Sequence, residues 1–192
     1  GNTDISIKLN FDENGQLLND KYEIFANIND LSIELLNKQK IEKVSANIKY
    51  LQNRIEIINF KSIFQEIQIY SDKILVNKNN KNYFVEGSLN NKESTISPYL
   101  VKMVLNNNNF TNVVLSSKNN FNFTISNKFK ISDLKFNSKL NLVKAEYEID
   151  NLSIKKYIPD FDKKITFLDQ NIDINYNNKI LFEGSGNFQI GE

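Results

Sequence analysis

The residues of this chain best suited to chemistry are its carboxylates. Asp160 and Asp162, with Asp169 and Asp173 nearby, are the types a glycosidase pair or a hard-cation site would use. Their setting, Pro159-Asp160-Phe161-Asp162, reads instead as a polar turn, with the other two acids on solvent faces. Asp12-Glu13-Asn14-Gly15 has the opening of a calcium loop, but no bidentate Glu follows at the required spacing, so it reads as a hairpin turn. Gly184 and Gly186 have the spacing of a phosphate-cradling loop. They sit inside an alternating pattern that runs from Phe182 to Ile190, where small residues mark a bulge or a close backbone approach. Three sequons, at Asn109, Asn122 and Asn151, are what chance supplies in a chain where about one residue in six is Asn.

The chain has no Cys and no His. Thiolate nucleophiles, disulfides, zinc sites and the commonest general base are therefore excluded. No enzymatic activity, metal or cofactor is expected. The 24 Lys and Arg balance 23 Asp and Glu and are scattered singly, so there is no electrostatic footprint for nucleic acid. The longest apolar stretch, Tyr99 to Leu105, is broken by Lys102 and is far short of the roughly 18 residues of a membrane-spanning helix. The chain starts at Gly1 without a leader pattern and reads as a piece of something longer.

What remains is the elements, and their period is two. Between Phe121 and Leu142 apolar residues fall at Phe121, Phe123, Ile125, Phe129, Ile131, Leu134, Phe136, Leu140 and Leu142, with polar residues almost everywhere between. That is the pattern of strands with one apolar and one wet face. It recurs at Ile5, Ile7, Leu9 and Phe11, at Val44, Ala46, Ile48 and Tyr50, and at Ile172, Ile174 and Tyr176. Strands are expected at 4–11, 22–28, 31–36, 43–50, 54–60, 63–70, 73–77 and 82–89. In the second half they are expected at 110–115, 120–126, 128–136, 138–149, 151–155, 164–168, 171–176 and 179–190. Turns are expected at Asp12–Gly15, Asn77–Asn80, Asn119-Asn120 and Asn177-Asn178. Short links and the lack of crossover helices make this a meander.

One helix is expected at 98–105, capped by Ser97, started by Pro98 and ended by the Asn106–Asn109 run; a shorter helical turn is expected at 155–158. The chain reads as one segment over 1–192, and a division into two similar units, 1–96 and 110–192, joined by the helix, stays open. The fold class is mainly β. The absence of Trp and the strict alternation favour a long antiparallel meander curled into a single-layer groove, with a β-sandwich as the alternative. The candidate functional residues are the nine apolar residues from Phe121 to Leu142 named above, lining one face that holds acyl chains.

The stretch from Ser116 to Ile125 leading through Ile131 to Leu142, continued from Asp150 to Pro159 and from Lys179 to Gly186, resembles the AsmA-like group of bacterial envelope proteins, with its TamB-like and YhdP-like members. The likeness covers roughly residues 40 to 190 and is one of strand texture. It implies a Gram-negative, bridge-like lipid-transfer protein of the periplasm: an inner-membrane anchor outside this segment, then a β-groove that carries phospholipid acyl chains between inner and outer membranes. The alternative is a structural or adhesive β-domain of the cell envelope without lipid cargo.

Overall fold

A computed structural model of the chain describes residues 1–18, 22–34, 39–149 and 164–190. Ten strands follow one another: β1 (Asn2–Lys8), β2 (Glu23–Glu34), β3 (Lys40–Leu51), β4 (Arg54–Phe64), β5 (Ile67–Asn79), β6 (Asn82–Ile96), β7 (Phe110–Ser126), β8 (Ile131–Glu148), β9 (Lys164–Asn177) and β10 (Ile180–Ile190). All lie in one antiparallel sheet in sequence order, and the sheet does not close into a barrel. One helix, α1 (Pro98–Leu105), stands between β6 and β7. It has the expected bounds: the Ser97 hydroxyl accepts from the Leu100 N–H at 3.4 Å, Pro98 opens the first turn, and Asn106 ends it in the left-handed region at φ 50°. The helix does not divide the sheet, because β6 and β7 pair directly from Asn82↔Ser126 to Ile96↔Val113.

Several expected strands merge into longer ones. The segments 22–28 and 31–34 form β2, with 35 and 36 outside the described residues, 110–115 and 120–126 form β7, and 164–168 and 171–176 form β9. Asn119-Asn120 is not a turn but the middle of β7, because Asn119 finds strand partners on both sides: its amide donates to the Leu89 carbonyl at 2.5 Å and its oxygen accepts from Ser138 at 2.6 Å. Other turns use residues without a strong turn signature, with Gln52 at φ 51° between β3 and β4 and Gln65 and Glu66 at φ 49° and 69° between β4 and β5. The expected strand at 128–136 likewise starts only at Ile131, since Phe129 takes φ 56° in the β7–β8 turn. The Asp12–Gly15 turn and the Asn177-Asn178 turn form as expected, the first closed by the Asp12 carboxylate accepting from the N–H groups of Asn14 and Gln16. The helical turn at 155–158 and the strand at 151–155 lie outside the described residues.

The long strands bend where single residues enter the left-handed region inside them: Asp30, Lys43, Asn59, Asn112, Asp133 and Asp169, all with φ between 49° and 54°. Short polar side chains tolerate that region best, which gives part of the chain's Asn and Asp a structural job. At several of these points the register between neighbours shifts, as between Ile28 and Leu31, Glu42 and Ser45, and Thr111 and Val114. Such bulges increase local twist and bend the strand.

Candidate functional site

Register sorts the side chains of the whole sheet into two faces, since directly opposed residues project to the same side. From Phe121 the apolar face runs to Phe136 on β8, Tyr176 on β9 and Ile180 on β10. In the other direction it runs from Phe123 to Val85, Val76, Ile55 and Tyr50, and then through Ile24 to Ile7. The face is apolar on every strand. Nine inter-strand steps of about 4.8 Å make it roughly 43 Å across. The opposite face carries Lys49, Glu56, Lys73, Glu86, Lys135 and Lys139, with Glu56 between Arg54 (2.7 Å) and Lys73 (3.2 Å).

Among the described residues no second sheet covers the apolar side. Even so, Val44, Ala46, Ser62, Ser71, Val85, Ser117 and Ser138 on it are buried, all of them small. Small side chains in a single layer lose solvent when larger neighbours close over them, so the apolar face is the inside of the curl. A second contact agrees: Gln39, at the start of β3, places its Nε2 3.1 Å from Met103 Sδ on α1. The helix docks on β7, four strand steps or about 19 Å from β3 in a flat sheet, so the sheet bends round the helix. Val101 of α1 packs with Val113 and Ala145, flanked by Ile96, Phe110, Leu115, Leu142 and Phe167, and so covers one end of the inner face.

The inner face is not wholly greasy. Across β6, β7 and β8 a chain of polar groups lies on its floor: the Ser117 hydroxyl donates to Asn91 Oδ1, the Asn119 amide donates to Ser117 Oγ at 2.7 Å, and Ser138 donates to Asn119. Every member has a partner, with the Asn91 and Asn119 amides also donating to main-chain carbonyls, which lets the sheet bury them. Ser71, also on the floor and 2% exposed, has no partner for its hydroxyl.

Of the nine candidate residues, Phe121, Phe123, Ile125, Leu134, Phe136, Leu140 and Leu142 lie on the inner face in half-buried or exposed positions, and Ile131 joins them opposite Ile125. Phe121 and Phe123 stack with centroids 5.8 Å apart. The bulge at Asp133 sets two residues opposite Phe123 and brings Leu134 back into phase with Phe136. Phe129 does not lie on a strand; its ring is 89% exposed at the turn. Sequence reasoning missed the matching face of β4 to β6, because the phase flips at Asn59: Ile55 and Ile57 lie inside before it, Phe60 and Ser62 after it.

Asp169 is a bend residue, and Asp173 lies opposite Lys139 and Glu183 on the wet face; Asp160 and Asp162 lie outside the described residues. Among the described residues no group of three acids, His or Cys could hold a metal, and no helix is long and apolar enough to cross a membrane. The most enclosed carboxylate among the described residues is Glu146, on the wet face. Lys144 at 2.7 Å and Lys164 at 2.8 Å, with the Asn112 amide at 2.6 Å, hold it well below the usual carboxylate range, at about 2. Two hollows of about 440 and 460 Å³ open on the wet face; Ile5, Phe25, Ile48 and Ile58 line the smaller together with Asp4, Asn27, Asn47 and Lys49, and Asn, Lys and Glu86 line most of the larger.

No family model matches this chain, and no curated protein and no solved structure matches it.

Proposed function

We propose that this chain is a segment of a lipid-carrying groove: acyl chains lie along the inner face while headgroups stay in water at the open side. In this reading the parent is a membrane-anchored envelope protein of the periplasm, similar to the AsmA-like group, that moves phospholipid between the two membranes. The role is binding and conduction, with no bond made or broken.

The observation that carries the reading is a continuous apolar face on ten strands with no covering layer among the described residues. A single-layer sheet with such a face needs something apolar against it in water. Acyl chains are suited to such a trough, because each buried methylene contributes about 0.8 kcal/mol whatever the headgroup. The test is mass spectrometry of organic extracts of the purified chain. Phospholipid or fatty acid in near-stoichiometric amount is expected. A well-folded protein that comes out free of lipid favours the structural or adhesive envelope domain instead.

A further inference from the structure

One end of the strands is basic. Three links stand side by side there: residues 78–81 at the turn from β5 to β6, 127–130 between β7 and β8, and 178–179 between β9 and β10. They carry Lys78, Lys81, Lys128, Lys130 and Lys179 and no Asp or Glu. All five lysines are exposed, and none makes an ion pair among the described residues. Asp133, the nearest acid along the chain from Lys130, instead accepts from the Ser132 hydroxyl at 2.9 Å. The opposite end of the inner face is the one that α1 covers.

The inner face changes character towards the basic end. One apolar row runs through Ile55, Val76, Val85 and Phe123; in the next row out Lys78 stands opposite Tyr83, and Tyr83 opposite Ile125. Away from the bends, Lys78 is the one charged residue that alternation puts on the inner face of the described strands. Tyr83 is 36% exposed, and opposed residues have Cβ atoms about 5 Å apart, so a phenol and an ammonium share the lip of the trough. Neighbouring links are two strand steps, about 10 Å, apart. That is about one Debye length at physiological salt, so their potentials overlap on an anion placed between them.

We propose that this rim selects the headgroup: acyl lipids held in the trough lie with a net-anionic headgroup against Lys78 and the lysines of the three links. The inference rests on the reading of the inner face as an acyl-chain groove. A lysine ammonium binds phosphate or carboxylate as a point charge without fixed geometry, which suits headgroups that pass along a rim from one link to the next. Burial of the tails is indifferent to the headgroup, so charge at the rim is what separates one lipid class from another. A zwitterionic headgroup brings its own cation to the same lysines and loses most of the attraction. Exposed pairs of this kind are individually weak, and two lysines in reach of one headgroup give a preference on the order of tenfold.

In the test the purified chain is exchanged in mild detergent against equal, saturating amounts of phosphatidylglycerol and phosphatidylcholine with the same acyl chains, and the bound lipid is counted by mass spectrometry. Phosphatidylglycerol is expected in about tenfold excess, falling towards parity in about 0.5 M salt. Lys78→Gln, Lys81→Gln, Lys128→Gln, Lys130→Gln and Lys179→Gln combined are expected to abolish the excess and leave the total lipid unchanged. Lys135→Gln with Lys139→Gln, on the wet face, is expected to leave the excess in place. Full loading without headgroup preference, or a preference that survives the loss of the five lysines, overturns the proposal and leaves the groove standing; a folded chain that takes up neither lipid overturns both. A bilayer surface is the other source of the same headgroups, and flotation with phosphatidylglycerol vesicles separates the two. The chain is expected to leave the vesicles carrying lipid. One that stays on them through the five lysines and carries none away overturns the proposal.

Discussion

Truncating Val101 to Ala tests whether α1 is part of the inner wall or merely rests beside it. Val101 is 6% exposed and packs on Val113 and Ala145. Removing two methyl groups forfeits about 1.6 kcal/mol of burial, and the space left between those side chains adds to this, so about 2 kcal/mol is expected in total. Val104, one turn on, is 72% exposed. The same truncation there removes almost no buried surface and is expected to cost under about 0.5 kcal/mol, with Ala the better helix former. Urea unfolding followed by circular dichroism gives both values, read as a shift in midpoint at constant slope. If both variants unfold together, or if Val101→Ala is silent, the helix does not cover the face and the picture of a sheet bent round it fails.

The two most buried hydroxyls offer an internal control. Ser138→Ala leaves the Asn119 oxygen short of a donor and is expected to cost about 1–2 kcal/mol, whereas Ser71→Ala removes a hydroxyl without a partner and is expected to be neutral or stabilising in the same urea assay. Glu146 titrates at about 2 in the folded chain, below its ordinary value near 4.5, because Lys144 and then Lys164 hold its charge. A lowered carboxylate contributes stability that is fully present above its unfolded value and is lost as pH falls through its folded one. Stability attributable to Glu146 is therefore expected to decline between about pH 4.5 and 2 and to be absent in Glu146→Gln. The lysine ends are about 40% exposed, so solvent screening limits the contribution to about 1–2 kcal/mol. Thermal melts at pH 6 and pH 2.5 check this; an equal pH response in Glu146→Gln would show that the clamp contributes nothing.

The class of fold was legible because alternation is a local property of strands: Phe121, Phe123 and Ile125 announce one face without knowledge of their partners. So was α1, where Ser97, Pro98 and Asn106 each act within a turn of their own position. Less legible were the places where alternation changes phase. Nothing local to Asn59 or Asp169 says that the next residue keeps to the same face; the bend is decided by pairing with strands far along the chain. The Asn119-Asn120 pair misleads for a related reason, since its side chains are satisfied by Leu89, Ser117 and Ser138 across neighbouring strands. Phe129 continues the apolar list by composition but falls on the turn, where exposure rather than parity fixes its surroundings. The absence of Trp and the strict alternation point to a curl without giving its cause; the burial of Ser62, Ser71, Ser117 and Ser138 gives it a physical basis, because small residues on the floor suit a concave single layer.

The proposal that the inner face carries acyl chains is tested most directly by photocrosslinking in cells of a Gram-negative host, with a probe at position 123 and a control at 135. Phe123 lies on the inner face beside Phe121, and Lys135 lies on the wet face opposite Asn122 and Asn177. Lipid adducts are expected from 123 and not from 135, and they are expected to disappear from a 121 probe when Phe123 is changed to Asp, which sets an unpaired carboxylate beside hydrocarbon at a cost of several kcal/mol. Equal labelling at 123 and 135, or none at either in a folded protein, would contradict the account.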